Sequence, residues 1–246
     1  MTRLTRSPAS LLASMATALI AGGAHAVVVL GNGDSINLGA LMSPTSDRTV
    51  IVNDKMFVFE SFSSSQFDAG LFSVIGFVSA ATNQWGLHNV GFDLTGPFGD
   101  GDPGNPLVHE MNLQYNVSVL PEWYAQGVRL HDCRLTFNGS AGGDGSFSRV
   151  DETVWDLDQN QFLKQLSVYD TAMDTGNLTK FVDSVDFSPN GYRAFEVNKD
   201  MKFFAAHVND FATASFVRQE FSQVPAPGVA ALLGLSGLVA SRRRRG

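Results

Sequence analysis

The sequence predicts an all-β fold, an antiparallel β-sandwich of jelly-roll-like type, for the middle of the chain. Three observations lead there. Apolar or alternating stretches recur roughly every 12–20 residues, a spacing that suits short strands. Clusters of Gly, Asn, Asp and Pro separate them. No alternation of strand and helix appears, which excludes a parallel α/β architecture.

Taken in order, residues 27–30 form a β-branched run closed by the turn signal Gly31-Asn32-Gly33-Asp34. Residues 35–46 read as loop. Residues 49–52 and 55–62 read as a hairpin across Asn53-Asp54, two residue types that tolerate positive φ. Its second strand places Met56, Val58 and Glu60 on one face and Phe57, Phe59 and Ser61 on the other. The apolar run 71–79 predicts a central strand covered on both faces, and 85–95 supplies the next strand. Over 110–120, Met111, Leu113, Tyr115, Val117 and Val119 alternate with Asn112, Gln114, Asn116 and Ser118, the signature of a half-buried strand. Residues 128–137 follow, with Cys133, Leu135 and Phe137 sharing a face. Strands over 149–157, 163–169, 192–205 and 211–221 complete the set. A short helix is expected only at 159–166, through Phe162, Leu163 and Leu166.

The two ends differ from this pattern. Arg3 and Arg6 precede an apolar stretch over 11–21 and the small-residue site Ala24-His25-Ala26, which together read as a secretory signal peptide. The arginines are not adjacent, so general secretion is expected rather than twin-arginine export. At the other end, 228–241 carries no charge and is followed by Arg242, Arg243, Arg244 and Arg245. As a helix this run spans roughly 21 Å, short against a hydrocarbon core of about 30 Å. The preceding residues and arginine snorkelling extend its reach, and the arginines place the C-terminus on the cytoplasmic side.

Val224-Pro225-Ala226-Pro227, one short apolar helix and a terminal arginine run resemble a PEP-CTERM protein-sorting domain. Ala226 stands where that family carries Glu. The resemblance implies recognition by an exosortase, a membrane-embedded cysteine transpeptidase, after transient anchoring in the inner membrane of a bacterium. It also implies delivery to the cell surface or extracellular matrix, where exopolysaccharide is a partner to expect. A plain membrane anchor is the other reading of the same tail. The body carries Asp54-Lys55-Met56-Phe57, Asn198-Lys199-Asp200 and the closing 216–223 segment, which resemble the β-rich cargo of PEP-CTERM proteins. That resemblance implies a sandwich of unassigned activity. The expected division is therefore 1–26 signal peptide, 27–223 cargo domain and 224–246 sorting segment.

Charge and cysteine content narrow the function. All 24 acidic residues lie in the cargo with only eleven lysines and arginines, leaving it at −13. That balance argues against nucleic acid as a partner, because phosphate binding needs basic patches. Cys133 is the sole cysteine, so packing rather than a disulfide must hold the domain together. His131 and Cys133 share a strand face, but no HxH, CxxC or HExxH spacing supplies further ligands.

Two acidic loops are candidate sites for a structural calcium ion. Asp100, Asp102 and Asn105 form one, and Asp156, Asp158 and Asn160 the other. The second opens like a calcium loop but has Gln161 where the EF-hand turn needs Gly and Ser167 where it needs Glu. Asp, Asn and Gly also make ordinary turns. No G-x-S-x-G elbow appears, no catalytic residues are singled out and no cofactor is expected. Trp85, Trp123, Tyr124 and Trp155 are the aromatic candidates for carbohydrate binding, or else core. The expectation is an exported, non-catalytic surface or matrix protein. A secreted carbohydrate- or calcium-binding module and a secreted hydrolase are the alternatives. An aromatic platform on one sheet face would favour the module; two carboxylates about 5–9 Å apart in a cleft would favour the hydrolase.

Overall fold

The computed structural model describes residues 26–187 and 191–225. The expected signal peptide up to residue 25 and the apolar run with Ala226, Pro227 and the four terminal arginines lie outside the described residues. The first half contains β1 (Val28–Leu30), β2 (Ser35–Asn37), helix α1 (Leu38–Leu41), β3 (Thr49–Val52), β4 (Lys55–Ser64), β5 (Ser73–Thr82), β6 (His88–Gly99) and β7 (His109–Val119). Helix α2 (Pro121–Ala125), β8 (Val128–Leu130), β9 (Asp132–Phe137), β10 (Ser140–Gly142) and β11 (Phe147–Asp156) follow. The chain continues through β12 (Gln161–Thr171), β13 (Leu178–Lys180), β14 (Val182–Asp186), β15 (Ala194–Phe204), β16 (Phe211–Phe221) and β17 (Gln223–Pro225). No helix among the described residues is long and apolar enough to cross a membrane.

The fold is an all-β sandwich. A long sheet runs β1-β3-β4-β7-β15-β11-β12-β13, antiparallel except for the β1–β3 pair. A second sheet runs β14-β9-β16-β6-β5-β2, with β10 beside β16. A ribbon of β17 and β8 forms a third, small sheet. Alternation puts one side of each strand into the space between the sheets. Phe92 of β6 is the hub of that space, with ring centroids 5.4 Å from Phe57, 5.5 Å from Phe59 and 5.2 Å from Tyr115. Phe72 and Phe98 meet at a tilt with centroids 4.8 Å apart, and Phe98 meets Phe203 across the sandwich at 5.8 Å. Gly91 lets β6 and β16 approach: a Cβ there would fall 1.7 Å from the Gln219 carbonyl oxygen.

The Asn53-Asp54 hairpin forms as expected, with Asn53 at φ 53°. The five alternating apolar residues of β7 are all buried. Four expectations change. A register shift between Phe59 and Ser61 interrupts the alternation of β4, so Phe62 packs against the core beyond the bulge. Residues 159–166 form no helix. Asn160, at φ 50°, ends a tight turn, and β12 then pairs with β11 along its whole length; this pairing overrides the local 3.6-residue pattern. The run 71–79 contributes to β5, which lies between β6 and the short β2 and is only half covered. Residues 35–46 contain β2 and α1, the helix being capped by Asn37, which accepts from the Ala40 N–H at 3.1 Å.

The interior also holds ionisable groups. Lys199 of β15 donates to Glu152 Oε2 of β11 and to Gln219 Oε1 of β16. Gln219 Nε2 donates to Cys133 Sγ of β9 at 2.9 Å, and the thiol donates to Glu152 Oε1 at 3.1 Å. The four side chains thus close a ring across the two sheets, and all are fully buried. Burial, reinforced by Glu152, pushes the Cys133 thiol well above its ordinary pKa. Burial and then Glu152 do the same to the Tyr115 phenol. A second buried group ties the ribbon on: Lys55 Nζ donates to Asp54 Oδ1 at 3.1 Å and to Gln223 Oε1 of β17. Burial lowers the Lys55 pKa to about 8, against the pull of Asp54.

Phe57 touches Phe92, Tyr115 and Phe221, so Phe57→Ala should cost about 3–5 kcal/mol in urea unfolding. Phe162→Ala, at a half-exposed edge position, should cost much less, of order 1 kcal/mol.

Candidate functional site

The outer face of the long sheet is built by the residues that alternate with the core. On β7 these are Glu110, Asn112, Gln114 and Asn116; on β15, Glu196, Asn198, Asp200 and Lys202; on β11, Phe147, Arg149, Asp151, Thr153 and Trp155. Register lines them up in rows. Asn116, Glu196, Trp155 and Phe162 make one row across β7, β15, β11 and β12. Gln114, Asn198, Thr153 and Gln165 make the next, then Asn112, Asp200, Asp151 and Ser167. Four strands at about 4.8 Å spacing give these rows a width of roughly 14 Å.

Its polar groups hold one another in place. Gln114 Nε2 donates to Glu196 Oε1 at 3.0 Å, and Asn198 Nδ2 reaches the same oxygen at 3.1 Å. Asn116 Nδ2 donates to Glu60 Oε1 at 2.8 Å. Aromatic pairs stand at both ends: Trp155 and Phe162 at 5.4 Å, Phe147 and Phe204 at 5.6 Å. Beside the second pair, Phe147, Arg149, Asp151, Thr171 and Lys202 line an open hollow of about 390 Å³.

Asp151 and Asp200 are opposite each other on neighbouring strands. Arg149 Nε holds Asp151 Oδ2 at 2.7 Å, and Lys202 holds Asp200. Burial raises the Asp200 pKa, with nearby Glu110 adding to the shift and Lys202 opposing it. Each carboxylate is bound by a cation two residues away on its own strand, and Asp151 lines the open hollow beside Phe147.

The candidate calcium residues sit in two separate turns. Asp100 Oδ2 accepts from the Ala205 N–H at 2.7 Å, and its Oδ1 from the Asp102 N–H at 2.9 Å. Asn105 Nδ2 donates to Asp102 Oδ2 at 2.9 Å. Asp156 Oδ1 accepts from the Asp158 N–H at 2.9 Å and the Gln159 N–H at 3.3 Å, while Asp158 pairs with Arg193. Of the expected aromatics, only Trp155 belongs to the long-sheet face. Trp85 stands exposed in the turn before β6; Trp123 and Tyr124 sit on α2 against the core, with Arg129 stacked 3.6 Å over the Tyr124 ring. Sequence reasoning missed Phe147, Phe204 and the amide ladder, whose signal was the polar half of each alternating strand. Among the sorting-motif residues, Val224 and Pro225 belong to β17, paired with Arg129 and Val128.

No family model and no curated protein matches the chain. Among solved structures, a mannan-recognising carbohydrate-binding module is similar at TM-score 0.28 and 7% identity, over 76% of this chain and 95% of that one. The Glycosylation Associate Protein (Gap123) complex from Streptococcus agalactiae is similar at TM-score 0.24 and 10% identity, over 66% of this chain and 26% of that one. A thermostable cellulase derived from that of Rhodothermus marinus is similar at TM-score 0.20 and 12% identity, over 69% and 99%. Overlaps of this size assign neither ligand nor activity.

The hydrogen bond from Arg193 pulls the Asp158 carboxyl below its ordinary range. A depressed carboxylate pKa stabilises the fold above the unfolded-state value, and that stability is lost as pH falls through the folded-state value. Both side chains are over one-third exposed, so screening limits the contribution to less than about 1 kcal/mol. Urea titrations of wild type and Asp158→Asn should differ by that amount at neutral pH and converge in acid.

Proposed function

We propose that this chain is an exported, non-catalytic cell-surface or matrix protein that holds a polysaccharide on the outer face of its long sheet. The observation that carries the reading is the row-ordered ladder of amides and carboxylates between two aromatic pairs. Sugars present apolar C–H faces and flanking hydroxyls, which match aromatic rings and side-chain amides. Acidic groups outnumber basic ones on this face as in the whole cargo, so a neutral polysaccharide fits better than an acidic one. Mutual hydrogen bonding holds the donors and acceptors in place before a ligand arrives, which limits the ordering cost of binding.

The signal peptide and the PEP-CTERM-like tail supply the route. The chain passes through the inner membrane, is held there by its C-terminal apolar run, and is cut by an exosortase near Val224-Pro225-Ala226-Pro227. Strand β17 is paired through Pro225, which supports a cut on its C-terminal side.

Affinity electrophoresis against a panel of neutral and acidic polysaccharides tests the binding face. A neutral polysaccharide should retard the wild type, and Trp155→Ala should weaken retardation roughly tenfold, as expected for losing about 1.4 kcal/mol of contact. Trp85→Ala should leave it unchanged. Equal retardation of Trp155→Ala and wild type would remove the face from consideration, and release of reducing sugar would replace binding by hydrolysis. Mass spectrometry of the mature C-terminus tests the route: material from the native host should lack Arg242 to Arg245, and an intact arginine tail would leave a plain anchor.

A further inference from the structure

The two buried lysines are better placed than a structural ion pair requires. Each ammonium nitrogen contacts a carboxylate and the side-chain carbonyl of a glutamine: Glu152 and Gln219 for Lys199, Asp54 and Gln223 for Lys55. In each case the glutamine comes from another sheet than the lysine. All six side chains are buried. Each Nζ is hydrogen-bonded to Oε1, and the electrophilic Cδ is one bond of about 1.23 Å from that oxygen, so amine and amide carbon are neighbours in the fold.

We propose that each pair condenses into a γ-glutamyl-lysine isopeptide bond, Lys199 to Gln219 and Lys55 to Gln223, with Glu152 and Asp54 as the respective proton carriers. The carboxylate first takes one proton from the ammonium, leaving a free amine and a neutral acid. The amine nitrogen adds to Cδ. The carboxyl group then gives its proton to the departing amide nitrogen and takes one from the attacking nitrogen. The Cδ–Nζ bond forms, the Cδ–Nε2 bond breaks, and ammonia leaves. The carboxyl ends protonated and uncharged, no redox partner is needed, and the charge pair is gone from the interior.

Three features support the step. Fixed contact within the fold replaces a bimolecular encounter. Burial lowers the Lys55 pKa to about 8, which brings the free amine within range of neutral pH. The leaving nitrogen of Gln219 is oriented by Cys133 Sγ at 2.9 Å and the Arg134 carbonyl oxygen at 3.3 Å. Cys133 is the rival nucleophile, but its elevated pKa keeps it as a thiol. At the second pair, a small hollow lined by Asn53, Asp54, His88, Trp123 and Gln223 offers ammonia a way out.

Peptide mapping of the denatured full chain tests this directly. Trypsin leaves Gln219 and Gln223 on one peptide, and chymotrypsin divides them after Phe221. The expected products are two branched peptides, each lighter than its components by one ammonia, joining Lys199 to Gln219 and Lys55 to Gln223. Glu152→Gln should abolish the first and leave the second, whose persistence reports that the variant has folded. Linear peptides alone from folded wild type would overturn the proposal. One branched peptide would uphold the bond it contains and refute the other. An ammonia loss at Gln219 that hydroxylamine reverses, with the Cys133 thiol blocked, would be a thioester and would refute the Lys199 assignment.

Discussion

The sandwich depends on how it meets the need to bury two lysine side chains. An ammonium in a dry interior is tolerated only when paired and hydrogen-bonded, and breaking such a pair typically costs about 3–5 kcal/mol. Lys199 meets the demand with Glu152 from its own sheet and Gln219 from the opposite one. The ring closed through Cys133 fixes the relative position of β15, β11, β16 and β9, because a shift of one residue along any of them would turn a polar group away. Lys55 sets the same condition for the β17 ribbon through Gln223. The aromatic hub around Phe92 supplies attraction, which is non-directional; the two lysine sites supply registration.

Period-2 patterning made much of this fold legible. It located β7 and the β3–β4 hairpin, because one face of each strand is apolar and the turn residues suit positive φ. It failed where pairing decides the outcome. The residues of β12 offered an apolar spacing compatible with a helix, and only ladder pairing with β11 settles the matter. The bulge after Phe59 has no single-residue signal, since Glu60 looks like one more outward residue until the partner strand is known. The lysines were visible in Asp54-Lys55-Met56-Phe57 and Asn198-Lys199-Asp200, but a lysine is ordinarily an exposed residue and nothing local marks these two as buried.

The outer face was less legible than the core. Asn112, Gln114 and Asn116 read as the solvated side of a half-buried strand, which they are. They become a candidate site only through their neighbours: Glu196 and Asn198 come from a strand about eighty residues later in the chain, and Trp155 from a third. Spacing within one strand carries no information about such rows. In the acidic loops, Asp100 and Asp156 are candidates by composition, and the fold shows what composition could not: Asp156 accepts from backbone N–H groups of its own turn, and Asp100 from those of Asp102 and of Ala205, just after β15.

Both lysine sites take their glutamine from the last strands before the tail. Strands β4 and β15 therefore cannot bury Lys55 and Lys199 favourably until β16 and β17 have been added. The pairing spans 168 residues for Lys55 and Gln223, so the decisive contact is among the most non-local in the fold. Non-local contacts pay loop-closure entropy before they return any stability, which delays completion of the sandwich. On the export route proposed above, that delay is useful: a chain that crosses the membrane unfolded keeps its N-terminal strands open until the C-terminal strands have followed. Once Gln223 is seated, the ladder of β17 with β8 runs to Pro225, the last of the described residues. The residues that complete the fold are thus sequence neighbours of those that would be read for sorting on that route.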